Sequence, residues 1–442
     1  MPTHRPPEAS IALLRHGYRW SERIRSSAPE GTDPDAVPVR MLGRPAVMLR
    51  GPDGVRAFTD TGLVRRRGAT PGAVADVLFG KGAVHGLDDA DHVRRKALFV
   101  QATTPDAVRR LVDEVELRWL AATRSWTPGR EIVVEDEAVR VIGRAVLHWA
   151  GIELPAREAD VVARRLATVV DGFGVAGPAH LEARWSRRRS DAWAARVIHG
   201  ARRGEPVAGR GSLLELAAWW RDADGHLLPV RTAAVELQNV LRPTVAVARF
   251  VAFGARQLVL GRDWRARVRA EREERGPCSG PGPLAVAFAQ ELRRASPFVP
   301  VLAAVARREF PVHDVVVPEG ATVLLDVVGT LRDRRYWPRP RRFDPDRFLG
   351  GQEVVADAFV PQGGGEVATG HRCPGEDVTL GVLAVSCSVL ATANWFVPAQ
   401  DLDIPQHRLP TRPASGVRLV ARPSRPRAPR VPVPTAGTTT AT

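Results

Sequence analysis

Residues 359–376, FVPQGGGEVATGHRCPGE, constrain the fold of this chain more than any other stretch. A glycine-rich loop ends there in a single cysteine, Cys373, and leads into residues 375–395, a mostly apolar run without proline that is long enough for a buried helix. The glycines at 363, 364, 365 and 370 are expected to let the backbone take positive φ and lie against a flat object with no Cβ in the way. Pro374 suits a first helical turn, where its missing N–H costs nothing. Cys373 therefore belongs at a helix N-terminus. Unpaired amides and the helix dipole favour negative charge there, and His371 and Arg372 add to it, so an easily deprotonated thiol is expected.

A thiolate is a soft ligand, and no second cysteine or histidine stands at zinc spacing, so a single axial bond to haem iron suits Cys373 best. Two blander readings compete. Cys373 could be a small buried hydrophobe, or the glycines could cradle a nucleotide, although the GK[ST] ending of a phosphate loop and a strand leading into it are both missing.

The net charge of +15 comes almost wholly from arginine, Lys81 and Lys96 being the only lysines. Those arginines are spread along all 442 residues and are not gathered into one basic run with interleaved aromatics, so no nucleic-acid partner is expected. Three cysteines without framework spacing argue against a disulfide scaffold and for a reducing cytoplasm. No stretch offers about 20 uninterrupted apolar residues, so no membrane span is expected. From 422 to 442 the chain is rich in Pro, Arg and Thr and is expected to be disordered.

Helical spacing of apolar residues predicts helices over 105–123, 136–151, 157–172, 181–202, 229–260 and 283–296. Two hairpins are predicted, at 38–50 around Gly43-Arg44 and at 314–327 around 318–320. Many helices, a few strands and no βαβ alternation describe a mainly α, helix-rich single domain over 1–421 with small β-sheets at the edge. In the helix expected at 229–260, Arg242-Pro243 interrupts an apolar run. A buried arginine needs an anion, either a bound carboxylate or a protein acid such as Glu236, and the proline should kink the helix.

GHRCPGE at 370–376, Glu291 with Arg294 in AQELRRASPF, and FDPDRF at 343–348 together resemble the cytochrome P-450 superfamily. The likeness implies its fold, haem b (iron protoporphyrin IX) on Cys373, and a structural charge network of Glu291, Arg294 and Arg347. Taken alone, Glu291 and Arg294 would read as a solvated helix pair. LFGKGAVHGLDDADHVRRKALF (78–99), LQNVLRPTVAVARF (237–250) and the long QGGG loop are more similar to the fatty-acid peroxygenase branch. That branch implies hydrogen peroxide as oxidant, a fatty-acid substrate, no obligatory redox partner, and oxidation at the α or β carbon by hydroxylation or decarboxylation. Arg242 and Pro243 would replace the acid and threonine of oxygen-activating members, with the substrate carboxylate on Arg242 acting in O–O cleavage.

The same resemblance places Leu78, Phe79, His85, Val170 and Phe173 along the acyl pocket, with His85 inclining the product towards a terminal alkene. It places His92, Lys96, Arg66 and His371 around the haem propionates. The chain departs from the superfamily pattern at Glu366, where a phenylalanine is usual, at Asp89-Ala90 and at Asp346. An oxygen-dependent monooxygenase with separate redox proteins stays open, as does a haem, fatty-acid or nucleic-acid binding protein.

Overall fold

The computed structural model describes residues 6–423 apart from 206–208, 210, 351–354 and 356. The predicted disordered tail therefore lies almost wholly outside the described residues. Its first two, Arg422 and Pro423, hydrogen-bond to Asn394.

The predicted helices are present as Pro105–Arg124, Val134–Trp149, Ala156–Gly172, Pro178–Arg202, Val230–Leu260 and Pro283–Ala295, and the run after the cysteine forms Glu376–Thr392. Arg262–Arg275 is a further helix whose nearly all-polar sequence hid it from an apolar-periodicity reading. Val230–Leu260 is the central helix. It packs against Val134–Trp149, Ala156–Gly172, Pro178–Arg202 and Glu376–Thr392. It is long and apolar enough to cross a membrane, but most of its apolar window is buried among those neighbours. Where it meets Glu376–Thr392, Gly254 is required, since a Cβ there would collide with the Cys387 sulfur. The helix runs on through Pro243, which withholds a hydrogen bond from the carbonyl four residues back.

Five strands form the main sheet, in the order Ala36–Met41, Arg44–Leu49, Thr322–Asp326, Val301–Ala306 and Val64–Arg65. The first hairpin turns at Leu42-Gly43, one residue earlier than predicted, with both residues at positive φ. The hairpin predicted over 314–327 does not form. Val315–Val317 pairs back onto Phe310–Val312 around His313-Asp314. Thr322–Asp326 instead enters the middle of the main sheet, parallel to Arg44–Leu49 and antiparallel to Val301–Ala306. Val323, Leu324 and Leu325 are buried on both faces there, which suits an apolar run to an interior strand better than to an exposed ribbon.

Behind the cysteine loop lies the charge network. Arg294 donates from Nε and Nη2 to the two carboxylate oxygens of Glu291, each at 2.7 Å, and both side chains are fully buried. Arg347 Nε stands 3.1 Å from Glu291 Oε2, and the Asp344 amide donates to Oε1 at 2.9 Å. Leu331 O accepts from Arg294 Nη1 at 3.0 Å. The solvated-pair alternative is excluded, and every charge in the network meets an opposite one.

Candidate active site

Cys373 precedes the helix Glu376–Thr392 and its N-cap Gly375, so Pro374 stands before the helix and not at its first turn. Only Gly363 and Gly365 of the loop take positive φ. Gly364 and Gly370 serve close approach, since Cβ atoms there would press on Val55 and on the Glu366 carbonyl. The Cys373 amide donates to Gln362 O at 3.1 Å, and Gln362 Nε2 stands 3.5 Å from the sulfur. Arg293 holds that amide from behind, Nε to Gln362 Oε1 at 3.1 Å.

The thiol is not easily deprotonated. Burial pushes it up and Glu376 opposes the thiolate, outweighing help from the Gly375 amide, Gln362 and Lys96. Nor does His371 supply charge, because burial and the Arg66 charge drive its pKa far down and leave it neutral.

The four expected propionate residues are brought together. His92 and His371 stack with ring centroids 3.8 Å apart. Burial and Lys96 bring His92 down to about 4, so it too is neutral. Lys96 Nζ donates to Gly370 O at 2.9 Å and Arg372 O at 2.5 Å, tying its helix, Asp89–Ala102, to the cysteine loop and leaving one ammonium N–H unused. Arg66 donates from Nη2 to Phe58 O at 3.1 Å, and its buried Nη1 has no acceptor among the described residues. A cleft of about 520 Å³ lined by His92, Thr369, Gly370 and His371 opens beside them.

Pro243 and Ala246 keep accessible surface in the middle of the otherwise buried central helix, so that face borders open space within the fold. His85 is likewise exposed by accessible surface, although enough protein crowds around it to shift its pKa. It stacks on Phe79 with centroids 4.0 Å apart. Burial, with the Arg242 and Lys96 charges, lowers its pKa to about 3, so the ring is neutral. Leu78 and Phe173 meet in one apolar cluster with Val77, Val169 and Phe298. Val170 is buried on the same helix outside that cluster.

Arg242 is only 4% exposed. Its Nη2 donates to Asn239 Oδ1 at 2.7 Å, and Asn239 Nδ2 donates to Glu236 Oε2 at 2.9 Å. Glu236 is already engaged by Arg95 Nη1 at 2.8 Å and by the Val84 amide at 2.9 Å. The alternative of an Arg242–Glu236 ion pair thus fails, and the buried Arg242 Nη1 has no acceptor among the described residues. Glu236 instead anchors the loop that carries His85. Sequence reasoning missed Gln362, Arg293, Arg95 and Asn239. Polar residues on helices and loops carry no local sign of such long-range partners.

Among the described residues no histidine, cysteine or carboxylate joins Cys373 in a metal-ligating group, so a metal on its sulfur must bring its other ligands with it. A porphyrin does so. The unpaired Arg66 Nη1 and the free Lys96 proton offer donors for its carboxylates, and the residues fit the group. The class defined is a haem-thiolate oxidoreductase. The cytochrome P450 family model matches residues 283–385. A Mycobacterium tuberculosis protein assigned as cytochrome P450 137 is 26% identical, over 94% of this chain and 88% of its own length. Cytochrome P450SP alpha (CYP152B1), solved with (R)-ibuprofen, is 39% identical at a TM-score of 0.85, over 94% of this chain and 98% of the other. Cytochrome P450EX alpha (CYP152N1), solved with myristic acid, is 32% identical at a TM-score of 0.85, over 95% and 98%. The chain belongs to the cytochrome P450 superfamily, in its CYP152 branch of fatty-acid peroxygenases, and its cofactor is haem b.

Proposed function

We propose that Cys373 holds the haem iron and that the enzyme uses hydrogen peroxide to oxidise a fatty acid at its α or β carbon, with Arg242 gripping the substrate carboxylate. The unpaired Nη1 of Arg242 carries this reading: a buried guanidinium with Glu236 spent on Arg95 and Asp191 on Arg187 requires an anion from outside the chain. Two relatives were solved with carboxylic acids, which supports the same conclusion.

When bound, thiolate-ligated haem supplies peroxide activation and oxidation of a carbon–hydrogen bond. The side chains do the rest. Arg242 stays protonated at neutral pH even where burial lowers its pKa, so it orients an acid and does not serve as one. The carboxylate it holds stands beside Pro243, on the cavity face of the central helix. There it can take a peroxide proton and return it to the departing oxygen, the work a protein acid does in oxygen-activating relatives. Fixing the acid end leaves the α and β carbons nearest the site of oxidation. Leu78, Phe79 and Phe173 cover the chain beyond, while neutral His85 neither competes for the carboxylate nor repels it. As the resemblance implies, His85 inclines the product towards the alkene.

His92, Lys96, Arg66 and His371 would hold the propionates. With the oxidant and the proton path both accounted for, no redox partner is required. Peroxide with a saturated fatty acid, followed by mass spectrometry, should yield hydroxyacid or alkene from the purified enzyme alone. Turnover only with a reductase, oxygen and reduced nicotinamide would refute the peroxide reading and favour the oxygen-dependent one.

A further inference from the structure

A second buried guanidinium lies against the same central helix. Arg187, on the helix Pro178–Arg202, is 4% exposed, and its Nη1 and Nη2 have no acceptor among the described residues. Its Nε lies 2.9 Å from Asp191 Oδ1, and Gln238 of the central helix holds that same carboxylate oxygen at 2.8 Å. The tip of Arg187 presses on Gly80 so closely that any side chain there would collide with it, and Val235 of the central helix adjoins the same point. Gly80 directly follows Phe79 and opens the loop that carries His85. Arg187 is the neighbouring charge that most opposes a proton on Arg242, ahead of the favourable influence of Asp191 and Glu236. It acts on His85 as well.

Charge counting decides what the pair can take. Arg95, Arg187 and Arg242 face Glu236 and Asp191, which leaves one positive charge. A monocarboxylate cancels it, whereas a dicarboxylate would leave a buried negative charge in its place. A neutral acceptor farther along the chain would satisfy Arg187 but leave Arg242 unpaired. One carboxylate has two oxygens and about four lone-pair directions, enough for both arginines.

We propose that Arg187 and Arg242 hold the substrate's single carboxylate between them, making Arg187 a second acid-recognising residue of the acyl pocket. The inference rests on the reading of Arg242 as the carboxylate anchor. Two guanidinium groups fix the plane of the carboxylate as well as its position, and therefore the direction in which the first carbons of the chain leave it.

The test is equilibrium titration of the ferric holoenzyme with dodecanoic acid, followed in the Soret band, for R187Q, R242Q, the double variant and D191N, with 1-dodecanol as the uncharged control. R187Q should weaken acid binding by about 10- to 100-fold and leave the alcohol unaffected. Because both arginines grip one group, the effect of R187Q should shrink to about threefold or less in the R242Q background. D191N unbalances the pocket by one further positive charge and should tighten acid binding. It decides the matter if R187Q does not fold, since Asp191 is partly exposed and its loss is tolerable. An R187Q or D191N that binds the acid as the parent does, or equal effects of R187Q with and without Arg242, would overturn the inference. An R242Q that still binds the acid overturns the anchor reading itself. Loss of binding in R242Q beside an unchanged R187Q overturns the second arginine alone.

Discussion

Two groups of buried arginines in this molecule are built on opposite principles. Behind the cysteine loop, Arg294 and Arg347 converge on Glu291, whose carboxylate is saturated by two guanidinium groups and an amide. Across the cavity, Arg242 Nη1 and both terminal nitrogens of Arg187 have no acceptor among the described residues, although Asp191 meets Arg187 at Nε and Glu236 is engaged by Arg95. The first arrangement is complete within the chain and stabilises it. The second is complete only with a ligand, and the fold bears the cost of an uncompensated buried charge. Paired charges here mark architecture, and unpaired ones mark recognition.

Substitution should separate the two groups by what each one damages. R242Q should lower peroxide-driven fatty-acid turnover by about 10²- to 10⁴-fold, measured as product per enzyme, because the carboxylate that carries the proton is no longer held. R294Q should cost about 3–5 kcal/mol of stability, seen in denaturant unfolding, by stranding Glu291 in the core. Turnover by whatever R294Q protein remains folded should change far less than in R242Q. Equal loss of stability in both variants would erase the distinction.

The first group was legible in the sequence because its residues come in short strings with little freedom of spacing. Glu291 and Arg294 share one helical turn, and FDPDRF delivers Arg347 as part of a compact motif. The second was only half legible. Arg242 stood out as a cation in an apolar helix that needs an anion, with Glu236 left open as an alternative partner. Six residues along a helix turn the side chain by roughly 240°, so the two cannot pair directly, and Asn239 bridges them. Arg187 sits in the string SRRRSD, where nothing local distinguishes the buried arginine from its exposed neighbours. Strand pairing failed for a related reason. Val315–Val317 and Thr322–Asp326 look like one hairpin, yet the partners of the second strand are distant in sequence. The acidity of Cys373 was misread because the helix dipole is visible in a sequence and desolvation is not.

A smaller effect sharpens the comparison through pH. His85 is held neutral, its pKa lowered to about 3, while in the unfolded chain it titrates at about 6.5. Between those values the unfolded state binds the extra proton, so the stability His85 contributes is present above about 6.5 and is lost as pH falls towards 3. H85Q should flatten the decline of melting temperature across that window. An unchanged profile would show that the ring is not buried against the Arg242 charge.

The central claim is that the Arg242 charge is unpaired until the substrate arrives, and the melting temperature tests it most directly, measured with and without dodecanoic acid for the parent and for R242M. Without acid, R242M should melt at or above the parent, since it removes an uncompensated buried charge. With acid, the parent should be stabilised and R242M should not. A parent that gains nothing from the acid, or an R242M that gains as much, would contradict the account.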